Sequence, residues 1–330
     1  MTSYSAVTRA TLGRLDNPWL FFAGRRARRL VLSLWALVTA AFLMIHLIPG
    51  DPVRAALGPT APPDLVAARR SAQGLDDSLW SQYVRYLGDV LHGDLGVSMT
   101  SGLPVSQTID ARLPATLQLA VAAFFFSIMV AVPVGVVTAA LTRGERSRRT
   151  EAVFTTTSVV LAVIPEFLLA VGLVYVFAVQ LGWAPVAGRS GLGSYVLPVL
   201  SLAVGPAAIL ARIVRVELLK VLGADYVRTA RAKRLRRHRV YLGHALPNAL
   251  TATVTLAGLL LSTMIAGTVL VENVFAWPGL GTTVVQSILA KDYPLVQGIV
   301  LVYGSGVLLV TVLVDVTLSL IDPRSTMREN

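Results

Sequence analysis

Residues 225–249 read DYVRTARAKRLRRHRVYLGHALPNA, and they lie between two apolar runs, 195–216 and 250–272. Segment 212–249 as a whole carries ten Lys and Arg residues against two acids, Glu217 and Asp225. Translocated loops resist positive charge, so this segment is expected to stay on the cytoplasmic side of a membrane. Asp225 is placed to N-cap a short basic helix that runs through good helix formers to Val240-Tyr241. Pro247 marks the expected turn into the next apolar run. Composition alone favours an anchor to anionic lipid over a protein docking site for such a stretch.

Working outward, four more apolar runs appear at 30–48, 116–142, 152–182 and 296–321. Each is long enough for a hydrocarbon core of about 30 Å, which requires about 20 residues of helix. Six transmembrane helices are therefore expected in an all-α polytopic membrane protein. Only 14% of the 330 residues are charged and 55% are hydrophobic, against about 25% charged in soluble domains. The net charge of +11 is gathered in the alternate segments 1–29, 143–151, 212–249 and the tail, so both termini are expected to be cytoplasmic. Arg25, Arg26, Arg28 and Arg29 precede an apolar run too long for a signal peptide and lacking an A-x-A site, which reads as an uncleaved anchor. Beside them Trp19, Phe21 and Phe22 suggest either a short interfacial helix or an unstructured leader.

Pro165 and Glu166 interrupt the run 152–182. Two spans there would turn the basic segment outward, against its charge. The one large outer segment, 49–115, balances its arginines with acids, and Leu79, Trp80, Tyr83, Val84, Leu87, Val90 and Leu91 give 78–92 an apolar helical face. That face suits the membrane surface or neighbouring helices. Gly93-Asp94-Leu95-Gly96 supplies a turn.

Several chemistries are excluded. There is no cysteine, hence no disulfide or thiolate site. The three lysines, Lys220, Lys233 and Lys291, follow Leu219, Ala232 and Ala290, so no Gly-Lys pair exists for a Walker loop. The four histidines, His46, His92, His238 and His244, make no H-x-x-x-H pair. Ser305 in Tyr303-Gly304-Ser305-Gly306 is out of register for G-x-S-x-G and fits a small-residue packing face better. No catalytic residue, metal site or nucleic-acid partner is expected.

The intramembrane acids are Glu166, Glu272 and Asp315, positions where function is the default reading. Glu166 after Pro165 either touches an aqueous path or satisfies freed backbone groups or a neighbouring helix. Glu272 is expected at the outer interface, and Asp315 in an interhelical or subunit contact.

The wording of the basic segment also resembles the EAA loop of ABC importer permeases, with Arg228, Thr229 and Ala230, then Arg234, then His244, Leu246 and Pro247 at the pattern's positions. More particularly, the chain is similar to the B-type permease subunit of dipeptide, oligopeptide and nickel importers. His46-Leu47-Ile48-Pro49-Gly50-Asp51-Pro52, Gly74-Leu75-Asp76, Gly93-Asp94-Leu95-Gly96, Arg112-Leu113-Pro114-Ala115-Thr116, Leu181-Gly182-Trp183 and Val271-Glu272-Asn273-Val274-Phe275-Ala276-Trp277-Pro278-Gly279-Leu280-Gly281 carry that likeness in order. One departure is Arg234, where the family has Gly. Either the helix continues through 234 or Arg makes a contact of its own.

The resemblance implies a type I ABC importer permease fold in the plasma membrane of a bacterium or archaeon. It divides the chain into an N-terminal extension 1–29, a first helix 30–48, an extracytoplasmic segment 49–115, a five-helix core 116–321 containing coupling loop 217–249, and a tail 322–330. It implies a path for peptides, or for nickel or another small solute, working by alternating access with no cofactor in this chain. Its partners would be a second permease, two ATPases that bind ATP and Mg, an extracytoplasmic binding protein and membrane lipid. Residues 225–247 would form the coupling helix, Pro165 and Glu166 would be candidates for the path, and Asp51, Trp277, Pro278 and Gly279 for docking the binding protein. The rival from another class is a self-sufficient secondary transporter, which the lack of paired intramembrane charges argues against.

Overall fold

A computed structural model describes residues 18–47, 51–58, 60–72, 74–143 and 147–321. The leader 1–17, the Ile48-Pro49-Gly50 end of the first apolar run and the tail 322–330 lie outside the described residues. Helix α1, Pro18–Leu47, is continuous, so the interfacial helix expected near Trp19 and the first span are one element.

Three short helices follow, α2 (Pro52–Leu57), α3 (Pro63–Ala72) and α4 (Leu79–Leu91). Asp51 caps α2 by accepting the N–H groups of Val53 at 2.9 Å and Arg54 at 3.4 Å, satisfying donors that a helix start leaves bare. Arg70 on α3 then bridges Asp51 and Asp76, each at 3.0 Å. Ser78 caps α4 by accepting the Ser81 N–H. One face of α4 meets α1: the Tyr83 and Thr39 hydroxyls pair at 2.7 Å, Phe42 lies edge-on to Tyr83, and Gln82 reaches His46. Leu79, Trp80, Val84 and Leu91 remain exposed.

The core begins earlier than expected, because α5 is one helix over Val105–Leu141 with Pro114 and Pro133 inside it. At about 1.5 Å per residue it is about 55 Å long, well beyond a hydrocarbon core. Next come α6 (Arg148–Val163), α7 (Glu166–Leu173) with a π-helical extension Val174–Gln180, and α8 (Val196–Val221), entered through a 3-10 turn. Helix α9 spans Asp225–Ala232, π-helical Arg239–Ala245 runs into α10 (Leu246–Val274), and α11 (Leu280–Leu289) and α12 (Tyr293–Ile321) complete the chain. Among the described residues no strand forms beyond an isolated bridge between Val97 and Pro104.

Helices of this kind associate through close backbone approach rather than through a hydrophobic drive. At the α5–α8 crossing a Cβ on Gly135 would stand 2.8 Å from the Ala211 carbonyl oxygen. Alanines 115, 120, 123, 131 and 139 are buried along the same helix, and the Ser127 hydroxyl donates to the Ala203 carbonyl of α8 at 3.1 Å. Gly304 admits Leu37 of α1, so the Ser305 region is a packing face. Arg26 of α1 pairs with Asp315 of α12, which places Asp315 in an interhelical contact.

Five helices among the described residues are long and apolar enough to cross a membrane. Helix α6 and the α7 pair pass the same test together but meet at a bend of 94°, a broken span or a re-entrant loop.

Candidate functional site

The basic segment is not a single helix. Its N-cap is Ala224, in extended geometry, and Asp225 is the first helical residue, exposed and 3.3 Å from Arg228. Helix α9 ends at Ala232 because Arg234 adopts φ +54, a left-handed conformation that no helix continues through. The side chain of Arg234 is exposed. The backbone thus takes at 234 the kind of geometry glycine tolerates, even with arginine in place. Pro247 sits in the first turn of α10, while the helix is broken at 233–236.

What fixes this segment is apolar. Val227 and Ala230 are buried against Leu218 and Leu222 of α8, Val240 and Ala245 of the π-helical turn, and Ala139 at the end of α5. Arg231 donates to the Leu222 carbonyl at the end of α8 at 3.3 Å. Of the matched positions, Asp225, Arg228, Thr229, Arg234, His244 and Pro247 are exposed, Leu246 is half-buried and Ala230 is buried. The segment is therefore a rigid corner between two membrane helices with a polar, basic outer face. Relief of the left-handed arginine gives a direct expectation: Arg234→Gly stabilises the protein by about 1 kcal/mol and leaves uptake intact, read as a higher thermal midpoint of the purified protein. A lower midpoint, or lost uptake in an intact assembly, would show instead that the guanidinium makes a specific contact.

Glu166 opens α7 directly after Pro165, at the 94° bend. Its half-buried carboxylate faces α10, where a Cβ on Gly267 would collide with it.

The turn between α10 and α11 differs from expectation. Trp277 is fully buried: its indole N–H donates to the Ala115 carbonyl at 3.1 Å and its ring meets Tyr195 edge-on at 4.6 Å. Gly279 is buried and Pro278 half-buried. Glu272, near the end of the apolar stretch of α10, is also fully buried, with Oε2 accepting the N–H groups of Gly281 at 2.7 Å and Thr282 at 3.4 Å. A carboxylate at the start of α11 is stabilised there by the helix dipole. Gly281 lets it in, since a Cβ there would lie 2.6 Å from the Val269 Cα and 2.8 Å from Oε2. Trp277 and Gly279 thus offer the core, not a surface. Asp51 is engaged by Arg70 and by α2; burial pushes its carboxyl up, but the Arg70 hydrogen bond and the two N–H groups outweigh that and hold it below the usual value.

Two buried ionic groups escaped the sequence reading. Arg215 is one of the ten basic residues of segment 212–249, yet its guanidinium is buried, donating to Thr142 Oγ1 at 3.0 Å, paired with Glu151 at 2.8 Å and lying over the Phe154 ring. Asp292 is buried and accepts from the Ser98 hydroxyl and the Met99 and Thr100 N–H groups, which fixes the loop before α5. The interruption of Leu289 and Tyr293 by Lys291-Asp292 was the available signal.

Residues 131–327 match the family described as "Binding-protein-dependent transport system inner membrane component", and residues 19–120 match its N-terminal companion. The glutathione transport system permease protein GsiC of Salmonella paratyphi A is 37% identical over 299 residues, covering 91% of this chain and 96% of its own. GsiC of Escherichia coli K12 is 35% identical over the same share. Among solved structures, the MetNI methionine ABC transporter in an inward-facing conformation aligns with TM-score 0.53 at 21% identity, covering 66% of this chain and 97% of that one, a likeness of fold. The chain belongs to the binding-protein-dependent inner-membrane transport family and is a permease subunit of an ABC importer.

Proposed function

We propose that this subunit forms, with a second homologous permease, the translocation path of an importer for short peptides, driven by two ATPases and supplied by an extracytoplasmic binding protein. Nucleotide and Mg are bound by the ATPases. The reading takes α6 and α7 as one broken span, giving six spans with both termini cytoplasmic, which agrees with the positive-inside distribution. The observation that carries the coupling role is the corner at 225–247. Val227 and Ala230 pin α9 between α8 and α10, so a force applied to its exposed face is passed to both helices without loss in a flexible linker. Closure of the ATPases moves α9, and α8 and α10 follow as levers, the rigid-body motion that alternating access requires.

Relatives named as glutathione permeases favour a peptide cargo over nickel. Deleting the gene in its own host is expected to abolish uptake of radiolabelled glutathione or trialanine and to leave nickel accumulation unchanged. Loss of nickel uptake with peptide uptake preserved would reassign the cargo.

A further inference from the structure

Glu166 lies near the middle of the run 152–182 and at the break in that span. Among the described residues nothing donates a hydrogen bond to its carboxylate or pairs with it, although it is only half-buried. A carboxylate cannot face hydrocarbon without a penalty of about 3 kcal/mol or more. A second observation points the same way. The helix that Glu166 opens has no side-chain cap, since its N-cap is Pro165, and its first-turn N–H groups need water or another acceptor just as the carboxylate needs a donor. Across from it stands Gly267, with Thr263 and Ala266 exposed on the same helix, and no basic side chain. The side of Glu166 turned away from Gly267 therefore requires polar surroundings, which a water-lined path between two permeases supplies.

We propose that Glu166 is a specificity-determining residue of the translocation path, where its carboxylate holds the ammonium groups of a passing solute and favours cationic over anionic cargo. The proposal rests on the peptide-importer reading, because short peptides bring an N-terminal ammonium and, in some, a lysine side chain. Recognition here is brief and partly solvated, so the carboxylate ranks cargoes rather than capturing them.

The test uses the complete importer in proteoliposomes, with saturating binding protein preloaded with Ala-Ala-Ala, Ala-Lys-Ala or Ala-Glu-Ala, so that maximal rate reports translocation rather than capture. In the wild type the lysine peptide moves fastest and the glutamate peptide slowest. Glu166→Gln lowers the maximal rate for Ala-Lys-Ala about fivefold relative to Ala-Ala-Ala and raises that for Ala-Glu-Ala. Glu166→Asp keeps the wild-type order. Equal loss for all three peptides in Glu166→Gln, with the complex intact, would make the residue structural and overturn the proposal, as would three unchanged rates. A wild type that carries none of the three defeats the peptide reading itself, and this inference with it.

Discussion

Trp277→Ala is expected to destabilise the protein by about 3–5 kcal/mol, the range for removing a fully buried tryptophan. The indole fills the junction of α5, α10 and the turn into α11, packed with Ala115, Leu119, Val271 and Phe275. It also ties that turn to α5 by its hydrogen bond to Ala115. Nothing nearby can collapse into the vacated space cheaply, because Tyr195 is held by its own hydrogen bond to Gln118 and by Arg189. Total stability is typically about 5–15 kcal/mol, so the variant should accumulate poorly and show a thermal midpoint many degrees lower in detergent. Pro278→Ala, one residue on and half-exposed, serves as the control and should lie near wild type. A Trp277→Ala protein of normal abundance and melting would mean that the ring contributes to a surface after all.

The second large effect concerns coupling. Val227→Asp places a carboxylate at a site with no exposure, among Leu218, Leu222 and Val240, and burying an unpaired charge costs about 3–5 kcal/mol. The membrane helices do not depend on this residue, so insertion should survive. The energy is instead recovered by releasing α9 from its seat. A penalty of about 3 kcal/mol shifts the equilibrium between seated and released α9 by about a hundredfold toward release. ATP-driven uptake should fall by at least tenfold, while the subunit remains at normal levels in the membrane. Thr229→Asp, on the exposed face of the same helix, separates the two roles: it leaves α9 seated and alters only what α9 touches. Normal uptake by Val227→Asp would sink the lever account of the corner.

Hydropathy and charge made the helical architecture and the basic break at 225–249 between two apolar helices legible, because membrane depth and translocation act on composition directly. The rest depended on geometry that composition does not encode. Pro165 announces a break but not a bend of 94°. Arg234 reads as a helix former, and only the backbone shows it in the left-handed region. The Trp-Pro-Gly turn looks like surface chemistry until Ala115 and Thr116 are placed beneath it, where Thr116 accepts the Leu280 N–H at 2.8 Å. Those partners stand more than 160 residues away in the chain, a separation over which local pattern carries no information. The burial of Glu272 was hidden for a different reason: its partners Gly281 and Thr282 are near in the chain, but only the fold of α11 back over it makes them donors. Asp51 was legible as a polar residue after the first span, but its engagement by Arg70 was not.

The contact between α1 and α12 bears on how the polypeptide is made. Arg26 belongs to the first helix described and Asp315 to the last, and the Ala41 carbonyl of α1 accepts a hydrogen bond from Gln297 of α12 at 2.9 Å. During synthesis Arg26 emerges from the ribosome almost 300 residues before its counter-charge. For that interval the α1 face that meets α12 has no α12 to meet. The seam between α1 and α12 is therefore the last to close, because half of it does not exist until the final helix has been made.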